Sequence, residues 1–309
     1  MTITLNTVLT VLVVIAHPDD ETLFGGFIHA LTHKLNASVD LVCVTNGGGG
    51  NRHAGLSESF YGNLKLSEEA IGRKHLQRIR QQELFGSGRI VGIRKFFFYD
   101  ESDFKSSPYI NTILHEQWNK EWIIQQFQHT IKHGNSANGY DLMVVILPNV
   151  DSSEHHTASG LLALEAIDRL QQIKSSDIII PTIIGGSEFV LTQPPTYPEN
   201  RLADILTNVT NVEFRFNLRW KVSNSPVVDY QTVLFWMAAE HKSQGSLVNE
   251  ILSEYDHDRV NEQYFYFAIN ERYGDNTRLL MVQNLFTQLA NLHGDDMKNV
   301  LNDSYTTLN

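Results

Sequence analysis

The run VLTVLVVI (residues 8–15) is short, continuous and rich in β-branched residues, and it breaks off into AHPDDE (16–21). A run of this kind reads as a strand buried on both faces, the pattern of a parallel sheet covered by helices. The residues directly after the run narrow the possibilities further. One imidazole and three carboxylates, His17, Asp19, Asp20 and Glu21, stand together at the strand's end. Desolvating such groups is costly unless something there needs them. A helix N-terminus welcomes anions, which would account for the carboxylates alone. It does not account for the histidine or the proline-locked turn, and a metal ion does.

The alternation continues downstream. Residues 21–34 put Leu23, Phe24, Phe27, Ile28 and Leu31 on one helical face. Val39–Thr45 is a second buried strand, closed by the loop NGGGGNRHAG. A helix is expected from Ser67, with Glu68 and Glu69 in its first turn, to Phe85. Then come a strand at 94–99, a helix at 113–133, a strand at 140–147, a helix at 156–173 and a strand at 177–184. Strands and helices alternating at these lengths give a parallel sheet with right-handed crossovers, which binds ligands beyond its carboxyl ends. AHPDDE, TNGGGG and the loop between Leu147 and His156 should therefore converge.

Past about residue 186 the pattern loosens. Pro194, Pro195 and Pro198 mark a connection, followed by apolar pieces around 212–221 and a helix near 228–246. The expectation is one α/β domain over 1–309, a Rossmann-like three-layer fold with a mainly parallel sheet. Its motif-bearing core covers about 8–185, and an elaboration over about 186–309 closes one side of the sheet.

Composition excludes several classes of partner. With 24 basic against 35 acidic residues, a net charge of -11 and no local Lys/Arg cluster, neither nucleic acid nor an anionic membrane is expected. The sole cysteine, Cys43, lies in the apolar run VDLVCVT and reads as core filler, so disulfides and thiolate ligands are out. The first apolar run is too short to span a bilayer and lacks a basic leader and a small-residue cleavage site, so a cytoplasmic protein without membrane insertion is expected. NGGGG (46–50) reads as a mobile loop or lid beside the site. GSGRIVG (86–92) comes after a helix rather than a strand, and no GxGxxG succeeds the first strand, which disfavours a dinucleotide-dependent enzyme.

A second constellation, DSSEHHTASG (151–160), lies at another strand end. His155 and His156 open a helix there, where an imidazolium would oppose the dipole, so one or both should be neutral, the form that ligates metal. Two histidines and a carboxylate with open positions make a catalytic zinc site. A donor set without sulfur accepts Fe2+ or Mn2+ equally well. Asp19, beside a ligand, is placed to take a proton from water and hand it to a leaving amine.

AHPDDE before an apolar helix, TNG after the second strand, Arg80 and Glu83 in the next helix and a distal His-His-x-x-x-Gly resemble the LmbE-like metal-dependent N-deacetylases. These include GlcNAc-phosphatidylinositol de-N-acetylases and bacterial thiol-biosynthesis deacetylases. The resemblance spans roughly residues 10–185 and, more weakly, EHKSQ (240–244). It implies zinc-dependent N-deacetylation of an N-acetylated amino sugar or glycoconjugate. His17 and Asp20 match the first two metal ligands, Asp19 the general base, and Gly160 sets the register that makes His156 the third ligand.

Arg80 matches a residue that either contacts substrate or pairs with Glu83. Asp103, in preference to Asp100, matches a substrate-binding aspartate. Ser153 departs from the pattern, standing where the family carries a histidine that polarises the acyl oxygen. A replacement donor is expected from His241 rather than from His155, whose place beside a ligand points it away. Two rival readings are an amidase acting on a thiol conjugate and a carbohydrate-binding protein that kept the metal with little turnover. His29, His33, His53, His75, His115, His129 and His133 show no spacing that demands a site and read as surface.

Overall fold

Val11, Val13 and Ile15 face one hydrophobic core while Leu12 and Val14 face another, so the first strand is buried on both sides. It is β1 (Thr10–Ile15) of a computed structural model. The structure describes residues 8–104, 110–135, 139–149, 151–173, 177–193, 195, 207–224, 227–249, 260–272, 277–295 and 301–302. A 3-10 turn (Asp20–Phe24) leads from β1 into α1 (Gly25–Lys34), then β2 (Ser38–Thr45). Two further 3-10 turns precede α2 (Glu69–Val91) and β3 (Lys95–Glu101). The short α3 (Ile110–Thr112), α4 (Lys120–His133), β4 (Leu142–Ile146), α5 (Glu154–Ile173) and β5 (Thr182–Gly186) complete the alternating part. Beyond it lie β6 (Val209–Asn217), the hairpin β7 (Lys221–Asn224) and β8 (Val227–Asp229), and α6 (Tyr230–Glu240). The last elements are β9 (Asn261–Phe267), α7 (Thr277–Leu292) and β10 (Leu301–Asn302).

Eight of these strands share one sheet, in the order β10-β6-β9-β5-β4-β1-β2-β3. The five strands from β5 to β3 are parallel throughout, and β9, β6 and β10 extend the β5 edge antiparallel. Helices α1, α2, α6 and α7 cover one face and α4 and α5 the other, giving three layers. β1 lies between β2 and β4. The chain leaves it toward β2 and later returns on its other side as β4, and such a switch opens a crevice at the carboxyl ends of the two central strands.

Several element boundaries differ from the sequence expectation. α2 does not stop at Phe85 but passes through Gly86, Ser87 and Gly88 to Val91. A Cβ on Gly88 would meet the Phe96 ring at 2.3 Å and one on Gly86 the Glu240 carboxylate at 2.6 Å, so these glycines permit close packing. The helix ends at Gly92, whose φ of 77° allows the left-handed cap. Residues 113–133 are not one helix. A π-helical turn (Ile113–Gln117) ends at extended Trp118, and Asn119 restarts the chain by accepting the Trp122 N–H. β5 is shifted to Thr182–Gly186, in register with Leu142–Ile146. The helix expected near 228–246 is confined to Tyr230–Glu240. His29, expected at the surface, is 7% exposed and packs against Tyr230. Pro194 and Pro198 lie outside the described residues.

The antiparallel strands also reach back to the first motif. Glu262 on β9 is buried, and its two carboxylate oxygens accept the N–H groups of Gly26 (2.8 Å) and Phe27 (3.0 Å). A carboxylate there satisfies orphan donors and complements the dipole at the start of α1. Among the described residues no helix is long and apolar enough to cross a membrane.

Candidate active site

The turn after β1 is wrapped around the carboxylate of Asp20. Its Oδ2 accepts the backbone N–H groups of Ala16 (3.0 Å) and His17 (2.7 Å), which fixes the turn locally. Its Oδ1 then points across the crevice to His156 Nε2 at 3.2 Å. His17 Nδ1 completes a triangle, 3.0 Å from His156 Nε2 and 3.5 Å from Asp20 Oδ2. The crevice thus brings together His17 and Asp20 from the end of β1 with His156 from the first turn of α5.

Electrostatics bind the three further. Burial is the largest influence on Asp20 and opposes its ionisation, but His156 and His17 hold its carboxyl well below the usual range. Burial likewise disfavours charge on His156, yet Asp20 and Glu188 keep its proton well above the ordinary histidine range. Two imidazole nitrogens and one carboxylate oxygen at these separations fit a divalent cation. Behind His156, its Nδ1 meets the Glu188 carboxylate, which also accepts the Ser152 hydroxyl.

Asp19 faces elsewhere. Its backbone is strained, with φ 139° and ψ -21° on a non-glycine residue. Conformations of this kind cost about 1–3 kcal/mol and persist only where the surroundings enforce them. Here the enforcing groups are identifiable. The Asp19 N–H donates to Glu21 Oε2 at 3.1 Å, and Thr22 donates through its N–H and hydroxyl to the Asp19 carbonyl. Arg80 Nη2 holds the Asp19 side chain at 3.0 Å. Burial pushes the Asp19 carboxyl up to about 6 against the pull of Arg80, close to the operating pH of a general base.

Arg80 is 3% exposed and binds the two loops together, donating also to the carbonyls of Pro18 (2.8 Å) and Gly47 (2.9 Å). Glu83, one turn along α2, turns to other partners: it accepts from Tyr61 and from the Ser243 N–H and hydroxyl. Asp103 hangs over the site from the segment after β3, its Oδ2 accepting the Gly49 N–H at 2.9 Å. The glycine-rich loop is therefore tied down here. Its Gly47, at φ 69°, has the proline ring of the HPDD turn 2.9 Å from where a Cβ would stand.

Two of the remaining candidates, His241 and Ser153, lie apart. His241 is fully buried, with Nε2 on Glu21 at 2.6 Å; burial disfavours its charge, but Glu21 raises its affinity for a proton. Ser153 precedes α5, its carbonyl accepting the Thr157 N–H at 3.0 Å. Neither borders the cavity of about 360 Å³ that opens over His17, Asp19, Asp20 and His156. His155 turns inward instead of away. Its Nδ1 is 3.0 Å from His17 Nε2 and its ring stacks on Trp118, while burial and the neighbouring His17 push its pKa down to about 3.

The HPDD turn, both histidines and Arg80 all fall inside residues 12–167, which match the family described as GlcNAc-PI de-N-acetylase. The chain belongs to that family. Glu188 and His241 lie beyond the matched segment. Among solved structures the chain is similar to the N,N'-diacetylchitobiose deacetylase of Pyrococcus horikoshii (16% identity, 87% of this chain and 88% of that one, TM-score 0.51). It is also similar to the 4-carboxy-2-hydroxymuconate hydratase of Pseudomonas putida (14% identity, 87% and 99%, TM-score 0.51). A third is the zinc-inhibited form of a teicoplanin deacetylase (12% identity, 83% and 97%, TM-score 0.52). At these identities the likeness is one of fold alone, and that fold serves a hydratase as well as deacetylases. None of the curated proteins compared matches the chain.

The sequence pattern did not point to Glu188 or Trp118 as parts of the site. Glu188 had a signal, since it stands two residues past the carboxyl end of β5, where such sheets place ligands. Placing that strand end at residue 184 hid it.

Proposed function

We propose that the protein is a metal-dependent N-deacetylase that hydrolyses the N-acyl group of an N-acetylated amino sugar or glycoconjugate. The observation that carries the reading is the convergence of His17, Asp20 and His156 beside a carboxylate, Asp19, that is not part of their triangle. Membership of a de-N-acetylase family and the fold shared with sugar deacetylases support it. The hydratase neighbour shows why fold alone would not.

His17, Asp20 and His156 would hold a divalent cation, zinc by preference, with iron or manganese compatible with the same donors. A cation held there supplies Lewis acidity, making water more acidic and an acyl carbonyl more electrophilic. Asp19 takes the proton from the attacking water, since its raised affinity lets it accept and release a proton near neutrality. The same carboxyl then delivers that proton to the departing amine nitrogen. Arg80 keeps Asp19 aimed into the cavity, and Glu188 fixes the ring of His156 through its far nitrogen. Asp103, bordering the cavity and anchored through Gly49, is placed to accept hydrogen bonds from sugar hydroxyls.

The test combines metal analysis with free-amine release from a panel of N-acetylated sugars. Asp20→Ala and His156→Ala should lose most bound metal while the fold survives. Asp19→Asn should keep metal and lose roughly two to four orders of magnitude in turnover, the usual scale of general acid–base help. Full metal occupancy in both ligand variants, or near-normal turnover in Asp19→Asn, would overturn the assignment.

A further inference from the structure

His17 presents both ring nitrogens to clusters of donors. Nδ1 belongs to the triangle with Asp20 and His156. On the other side of the ring, Nε2 lies 3.0 Å from His155 Nδ1 and 3.8 Å from Asp103 Oδ1, and those two atoms are 3.7 Å apart. The two carboxylate distances are too long for hydrogen bonds. They are close to the spacing of donors around a shared cation, about 3.3–3.6 Å for a tetrahedral site with bonds near 2.0–2.2 Å.

Each donor is aimed without help from a cation. Asp103 is anchored through its other oxygen, which accepts the Gly49 N–H at 2.9 Å. His155, only 4% exposed, is clamped against Trp118 with the rings 5.1 Å apart and 16° from parallel. Its far nitrogen, Nε2, is buried and has no hydrogen-bond partner among the described residues. An outer partner that merely oriented a metal-binding histidine would ordinarily be a carboxylate or a carbonyl. Here it is a second imidazole with a carboxylate oxygen beside it, which is a ligand set in its own right.

We propose that His17, Asp103 and His155 form a second divalent-cation site, weaker than the first and bridged to it through the His17 ring. The inference rests on the reading of His17 as a ligand of the first site. The second site is the weaker because one imidazole would serve two cations at once, which repel each other across its ring. The Arg80 guanidinium, 3.6 Å from Asp103 Oδ2, opposes it as well. Because Asp103 and His17 border the cavity, occupation diverts Asp103 from substrate, and excess metal inhibits.

The experiment is a titration of the metal-stripped protein with Zn2+ alone by calorimetry. Co2+ absorption is followed in parallel. Two steps are expected, with the second weaker and changing the Co2+ spectrum separately from the first. His155→Gln and Asp103→Asn should each lose the second equivalent and keep the first, and retention of the first shows that the variant is folded. A wild-type protein that takes up one equivalent at most overturns the proposal, as does a second equivalent that survives in both variants. Asp20→Ala separates the two readings: if it still binds the tighter equivalent, the assignment of the first site has failed, and the bridged site with it.

Discussion

Replacing Arg80 with methionine keeps a side chain of similar length and removes the charge that ties Asp19 to both loops. In the folded protein the guanidinium is 3% exposed and donates to Pro18, Gly47 and Asp19 over 2.8–3.0 Å. Removing one partner of a buried pair leaves the other charge uncompensated and costs about 3–5 kcal/mol. At roughly 2 °C per kcal/mol for a chain of this size, Tm should fall by about 6–10 °C. A second readout is independent of stability. Burial pushes Asp19 up to about 6, and Arg80 is the largest influence pulling it down. Without Arg80 the carboxyl must rise further. In the proposed role Asp19 works in its ionised form, so activity would climb with pH through its pKa, and the acidic limb of kcat/KM should move to higher pH in the variant. Thermal unfolding and a pH–rate profile of free-amine release measure the two effects. An unmoved acidic limb together with a Tm within about 2 °C of wild type would show that Arg80 does not hold Asp19.

Glu188→Gln should weaken metal affinity by about 10–100-fold, the usual effect of losing an outer carboxylate behind a ligating histidine; competition with a chelator of known affinity measures it. Burial, helped by His33, pushes His29 down to about 4 from 6.5. Between those values the unfolded chain binds the extra proton, so stability should fall as pH drops from about 6.5 towards 4. Urea unfolding across that range should show His29→Phe losing part of the slope, and an unchanged slope would refute the assignment. Gly88→Ala places a Cβ 2.3 Å from the Phe96 ring. Overpacking of this kind costs about 1–3 kcal/mol, so the urea midpoint should drop at an unchanged m-value.

The parallel half of the sheet was legible because its strands are continuous apolar runs, and a run buried on both faces leaves few other readings. The HPDD turn was legible for the opposite reason, since charge beside such a run needs an explanation. Less accessible was anything decided by distant contacts. Gly86 and Gly88 look like a stop until Glu240 and Phe96 are seen packed against them. β9 reads QYFYF, apolar enough for a strand, but its antiparallel place between β5 and β6 depends on partners far away in the chain. His155 and His156 are adjacent in sequence and differ in what they face. His156 reaches Asp20, while His155 is turned by Trp118 towards the other side of the same ring.

The carboxylate of Glu262 caps the helix after the HPDD turn, across a separation of 236 residues from Gly26. On a ribosome the turn emerges long before its cap. Until β9 has been synthesised and inserted, the start of α1 lacks two of its hydrogen-bond acceptors, the carboxylate oxygens of Glu262. Contacts of such long range form late in folding. On the reading proposed above, a correctly shaped centre would form only once β9 has joined the sheet, long after the HPDD turn has left the ribosome.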